Sequence, residues 1–258
     1  MKMWIIVAVS GFVLACNSNS SNEALPKHVV ALQQQVQQNP DSSTIRMRLV
    51  NALDSLGLYS QALAEVDSLI KRDSLNNGLW YTKAQLAESN KDTTNAILYY
   101  ETAIRIYPSV ESQLSLANLF AEQKDPKALL LCQMVSDMKL GRETDADCDF
   151  IAAVYHARIG DKQKAVALFD RCINNNYTYM EAYLEKGFIL FDDKKYAVAL
   201  AIFQKAITVN NTYADAHYWE AKSYEASGNK AAALISYQRA YGLDKTLKEA
   251  EAGMNRLK

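Results

Sequence analysis

Glycine and proline are scarce, nine and four in 258 residues. That scarcity argues against a sheet protein rich in tight turns. Histidine is scarcer still. His28, His156 and His217 are the only three, and none has a second His, Cys or acid at the i, i+4 spacing of a metal-ligand pair. A glycine-rich phosphate loop is missing, and so is a Gly-x-Ser-x-Gly elbow. The acid pair Asp192-Asp193 falls in a turn, where solvated side chains are the ordinary reading. No catalytic constellation, metal site or cofactor is therefore expected. An excess of one charge is lacking too: 28 Lys and Arg offset 29 Asp and Glu. With pI near 6.3, no electrostatic pull toward nucleic acid or an anionic membrane surface follows.

A long hydrophobic run is also missing. The apolar stretch Trp4–Val13 is too short for an ordinary membrane span. Lys2 gives it a positive head, and Val13-Leu14-Ala15-Cys16 follows. This segment resembles a bacterial lipoprotein signal with its lipobox, although Leu14 is a less usual residue in its slot. The resemblance implies cleavage of residues 1–15 and a lipidated Cys16 as the mature N-terminus. The alternative is an ordinary secretory signal in which Cys16 is incidental. Residues 16–22 then form a polar tether. Membrane affinity would come from acyl chains alone, at about 0.8 kcal/mol per buried CH₂. Asn17 is not the aspartate that retains lipoproteins at the inner membrane in enteric bacteria, a pointer toward the outer membrane.

What the sequence does have is a period. An alanine recurs at Ala62, Ala96, Ala128, Ala165, Ala199 and Ala233, at spacings of 34, 32, 37, 34 and 34. Four residues after each comes Val66, Tyr100, Cys132, Phe169, Phe203 or Tyr237, and three further on Leu69, Ala103, Val135, Cys172, Ala206 or Ala240. Twelve residues before the alanine stands Val50, Ala84, Ala153, Gly187 or Ala221. Each unit reads as two short helices around a tight turn, clearest in Met180–Tyr213. A hairpin of this size cannot bury its apolar faces alone and must stack on copies of itself.

The pattern Trp80, Ala84, Ala96, Tyr100, Ala103, Pro108 resembles the tetratricopeptide repeat family, as does Gly187, Ala199, Phe203, Ala206. Six matches in phase cover about 43–247, nearly the whole mature chain. The resemblance implies an all-α right-handed superhelix of helix pairs, its concave face lined by the first helices. Repeats are expected at about 43–76, 77–110, 111–145, 146–179, 180–213 and 214–247 within a domain of residues 23–258. Glu23–Asn39 is expected to cover one end as a lone helix, and 246–258 the other, with Leu247, Ala250, Met254 and Leu257 as its apolar stripe.

The third unit departs from the pattern. Its turn, Lys124-Asp125-Pro126, is short, and Met138–Asp145 lengthens the connection to the fourth. This is where the stack is expected to bend, unless the change is a harmless one in a surface loop. Cys132 and Cys172 occupy core slots and Cys148 opens the fourth unit, which favours free thiols. A Cys148–Cys172 disulfide is the alternative in an oxidising envelope.

Helical spacing picks out the groove. One row holds Met47, Tyr81, Leu114, Phe150, Leu184 and Tyr218, the next Asn51, Gln85, Asn118, Val154, Phe188 and Lys222, and Phe191 belongs to a third. The first half is polar, with Asp54, Glu88 and Glu122 beside the amides; the second half is apolar. A row of amides can hydrogen-bond a peptide backbone without reading its side chains. Phe150, Val154, Leu184, Phe188 and Phe191 are expected to give an apolar anchor pocket, unless the phenylalanines pack against the neighbouring repeat. The family's carboxylate clamp for chaperone tails needs basic residues along these rows, and only Lys222 and Arg158 are basic. The leading expectation is a non-catalytic, lipid-anchored scaffold on the periplasmic side of a bacterial membrane, holding a protein or peptide partner in an envelope complex. A glycan-binding lipoprotein, with Tyr81, Tyr218 and Trp219 as sugar platforms, is the alternative; such proteins usually carry long inserts, and this chain has almost none.

Overall fold

The computed structural model describes residues 25–257. The signal segment, Cys16 and the tether at 16–22 lie outside the described residues. The described residues form fourteen helices and no strand. A lone helix α1 (Lys27–Gln38) precedes six pairs. They are α2 (Ser43–Ser55) with α3 (Tyr59–Ile70), α4 (Asn77–Ser89) with α5 (Thr93–Ile106), and α6 (Val110–Glu122) with α7 (Lys127–Ser136). Then come α8 (Arg142–Arg158) with α9 (Lys162–Asn175), α10 (Met180–Asp192) with α11 (Tyr196–Val209), and α12 (Ala214–Ala226) with α13 (Lys230–Leu243). The final helix, α14 (Lys248–Leu257), packs on α13.

The turn inside every pair is built the same way. One residue adopts left-handed backbone at the same register: Gly57 (φ 70°), Lys91 (60°), Lys124 (62°), Gly160 (90°), Lys194 (61°) and Gly228 (82°). In the first pair the Gly57 N–H donates to the Asp54 carbonyl at 2.8 Å and the Leu58 N–H to the Leu53 carbonyl at 2.9 Å. The other five turns repeat both bonds, so the last carbonyls of each first helix are satisfied before the second helix begins. A short polar residue often caps the helix that follows. Asp92, Asp161 and Asn229 each accept a backbone N–H three residues on, at 3.2 Å.

Burial follows the repeat. All six period-marking alanines are fully buried, and the residues four and seven positions after them are buried too. At two of the aromatic rings in that second position, the facing helix carries a glycine. Phe203 lies against Gly187, and Tyr237 lies against Gly253. The tyrosines pass through the stack, and their hydroxyls reach carboxylates of the first helix. Tyr100 donates to Glu88 at 2.9 Å and Tyr237 to Glu225 at 2.7 Å. Buried hydroxyls are thereby satisfied in an otherwise apolar layer.

The third unit differs from its expected form. The connection after α7 is short, and Arg142–Asp145 belong to an added first turn of α8, which runs to 17 residues. The largest buried cluster continues from Ala84 to Ala216 through this region, so the irregular unit does not interrupt the core. All three described cysteines are buried and free. The Cys148 thiol donates to the Cys132 carbonyl at 3.4 Å and so faces α7. Burial pushes the Cys172 thiol up to about 12.

Candidate binding groove

The first helices of the pairs supply one face of the stack. On it Asn51 and Gln85 are exposed and Asn118 is half-buried. Tyr81 packs its ring 5.6 Å from Tyr100 and lies 3.5 Å, oxygen to oxygen, from the Ser115 hydroxyl one repeat on. Phe150 stacks on Tyr179, with ring centroids 4.9 Å apart and planes 25° apart.

The second half of the face is packed, not open. Val154 and Leu184 are buried, at 2% and 8% exposure. Phe188 and Phe191 meet Trp219 of the next repeat at centroid distances of 4.4 and 5.5 Å. Trp219 also stacks on Phe203, and Lys222 lies about 6 Å above the Phe191 and Trp219 rings. Tyr218 is half-buried against Tyr237. The apolar row is thus largely the seam between the fifth and sixth repeats. Trp219 closes over the two phenylalanines because their i, i+3 spacing turns both rings toward the same neighbouring helix.

An open cavity of about 400 Å³ lies on the earlier part of the face, spanning α4, α6 and α8. Tyr81 and Glu88 come from α4, and Glu111, Leu114, Ser115 and Asn118 from α6. Asp147, Phe150 and Ile151 come from α8, and Tyr179 from the loop before α10. Glu111, Ser115, Asp147, Ile151 and Tyr179 line it without belonging to the rows that helical spacing picks out. Glu111 and Asp147 precede the predicted Leu114 and Phe150 by three positions, so they share their helical faces. A second cavity, of about 450 Å³, holds Met47 and Asn51 beside Leu69, Arg72 and Leu79.

The charges on this face are unevenly satisfied. Arg158 of α8 binds Glu122 with two nitrogens, at 2.8 and 3.0 Å, and also reaches Glu185 at 3.4 Å. That fork couples the third, fourth and fifth repeats and takes Glu122 out of the free acidic row. Burial holds the Asp147 carboxyl above the usual aspartate range, against the Tyr179 hydroxyl, which pulls it down. Among the described residues no group of His, Cys, Asp and Glu is placed to hold a metal ion. His156 and His217 are buried. A His217 ring nitrogen (Nε2) lies 3.0 Å from the Asn211 carbonyl. No described helix is long and apolar enough to cross a membrane.

A tetratricopeptide repeat model matches residues 47–111, 150–212 and 190–247, which together make up more than half of the chain. The chain belongs to the tetratricopeptide repeat family. The matches leave out most of the third unit, where the turn is short and α8 is extended. No curated protein sequence matches the chain. Among solved structures it is similar to a tetratricopeptide repeat protein from Parabacteroides merdae, with 15% identity, a TM-score of 0.70, and 89% of this chain and 90% of that one covered. Yeast Tom70 aligns with a TM-score of 0.62 and 15% identity, over 90% of this chain and 57% of that one. A chain of the APC/C hetero-tetramer Cut9-Hcn1 gives the same score and identity, over 90% of this chain and 46% of that one. At these identities the likeness shows the fold. Tetratricopeptide repeat stacks are protein-interaction scaffolds, and this chain has that architecture.

Proposed function

We propose that the protein is a non-catalytic scaffold, anchored through a lipidated Cys16 in a bacterial envelope, that holds a peptide segment of a partner protein along its first helices. The observation that carries the reading is the open cavity across α4, α6 and α8, lined by the amide of Asn118, with the exposed amide of Gln85 on α4 and that of Asn51 on α2. Such amides offer both a donor and an acceptor to a polypeptide backbone. The periplasmic, outer-membrane location rests on the sequence of residues 1–17 alone. A glycan platform finds less support: Trp219 packs on Phe188 of the preceding repeat, and Tyr218 packs on Tyr237 of its own.

The test is photo-crosslinking in the native host from an unnatural residue at Gln85, with Glu101 on the exposed side of α5 as the control position. Capture of a discrete partner from Gln85 and not from Glu101 is expected. Equal capture from both, or from neither, refutes the groove. Cys16→Ala is expected to abolish acyl labelling and release the chain from membranes; retained labelling refutes the anchor.

A further inference from the structure

The 400 Å³ cavity carries a specificity that the scaffold reading does not include. Its walls are aromatic: Phe150 and Tyr179 stacked on one side, and Tyr81 on the other. Its polar groups include three carboxylates, Glu88, Glu111 and Asp147, each from a different repeat. No lysine or arginine lines it. Among the described residues none of the three carboxylates is in an ion pair. Glu88 receives only the Tyr100 hydroxyl, and Asp147 lies half-buried beside Tyr179. Glu88 and Glu111 are exposed and Asp147 is half-buried, so the three together present a negative opening that no cation of the lining neutralises. Aromatic faces next to carboxylates favour an ammonium or guanidinium group, through the ring quadrupole and the Coulomb attraction together.

We propose that this cavity receives a lysine or arginine side chain of the partner segment, so that the protein selects peptides with a basic residue at one fixed position. This rests on the groove reading, and it adds the chemistry of the residue that is recognised. The volume is at the lower end of the roughly 300–1,000 Å³ of ligand pockets, which suits one long side chain and its neighbours. A polypeptide is favoured over a free amine because the exposed amide of Gln85 stands on the same helix as Tyr81 and Glu88, placed for the flanking backbone.

The experiment is an NMR titration of the full-length, ¹⁵N-labelled chain at low salt. The probes are four blocked pentapeptides, Ala-Ala-X-Ala-Ala, with X as Lys, Arg, norleucine or Glu, together with free ethylammonium. The Lys and Arg peptides are expected to shift amides in 111–118 and 147–151 and to bind at least tenfold more tightly than the norleucine and Glu peptides. Raising salt is expected to weaken them. The double variant Glu111→Gln, Asp147→Asn is expected to lose at least tenfold in affinity for the Lys peptide, while Glu101→Gln loses none. Circular dichroism melts of both variants report on folding. A double variant that folds and binds unchanged overturns the proposal, as does a Lys peptide no better than norleucine. Ethylammonium binding as tightly as the Lys peptide overturns the peptide source. If the norleucine peptide shifts the same amides equally, or if Gln85 crosslinks a partner whose capture is indifferent to the double variant, the groove stands and the basic residue falls. If no peptide binds and Gln85 captures nothing, both fall.

Discussion

At Gly187 a methyl group would run into the Phe203 ring, which is fully buried and has nowhere to retreat. Glycine is disfavoured in a helix interior by roughly 0.5–1 kcal/mol relative to alanine, so in an open helix Gly187→Ala would stabilise. Here the overpacking term, about 1–3 kcal/mol, wins. Gly187→Ala is expected to lower stability in chemical denaturation, and Gly187→Ala with Phe203→Leu to recover part of the loss. The reason this glycine is present was legible in the sequence, because the 34-residue register put a small residue opposite a large one. The fate of Phe188 and Phe191 was not. Their spacing placed them on one face, but whether that face met water or Trp219 depended on how the next repeat rotated against it.

At the scale of the element, the repeated turn sets a uniform backbone requirement that the residues meet unevenly. Three of its six left-handed positions are glycine and three are lysine. A residue with a Cβ pays about 1–2 kcal/mol for that conformation. Lys194→Gly is expected to raise stability by about 0.5–1 kcal/mol after the entropy of the unfolded chain is counted. Gly160→Ala, where a Cβ would meet nothing within 4 Å, is expected to lose about 1–2 kcal/mol through the backbone alone. Thermal melts of the two single variants check both signs. The glycine turns were visible as punctuation in the sequence; the lysine turns were placed by the helices on either side, since lysine has no turn signature of its own.

At the scale of the molecule, the stack ends where α14 is tied down. Arg256 donates to both oxygens of Glu225, at 2.9 and 2.7 Å, and the Tyr237 hydroxyl donates to the same carboxylate. The Arg256 bonds and the Tyr237 hydroxyl hold the Glu225 carboxyl below its ordinary value of about 4.5. A depressed carboxyl contributes stability that is fully present above the unfolded value and lost as pH falls through the folded one. Melting temperatures of the wild type and Glu225→Gln are therefore expected to differ at pH 7 and to converge as pH drops below about 4.5; a gap that is constant with pH refutes the role of the ion pair. By itself the sequence determined the period, the helix pairs and the buried positions, because those follow from local spacing and from the inability of one hairpin to bury its own faces. Only the tertiary structure decided which side chains of the first helices remain accessible. That depends on the fit of each repeat to the next, which opened a cavity between α4, α6 and α8 and filled the space around Trp219.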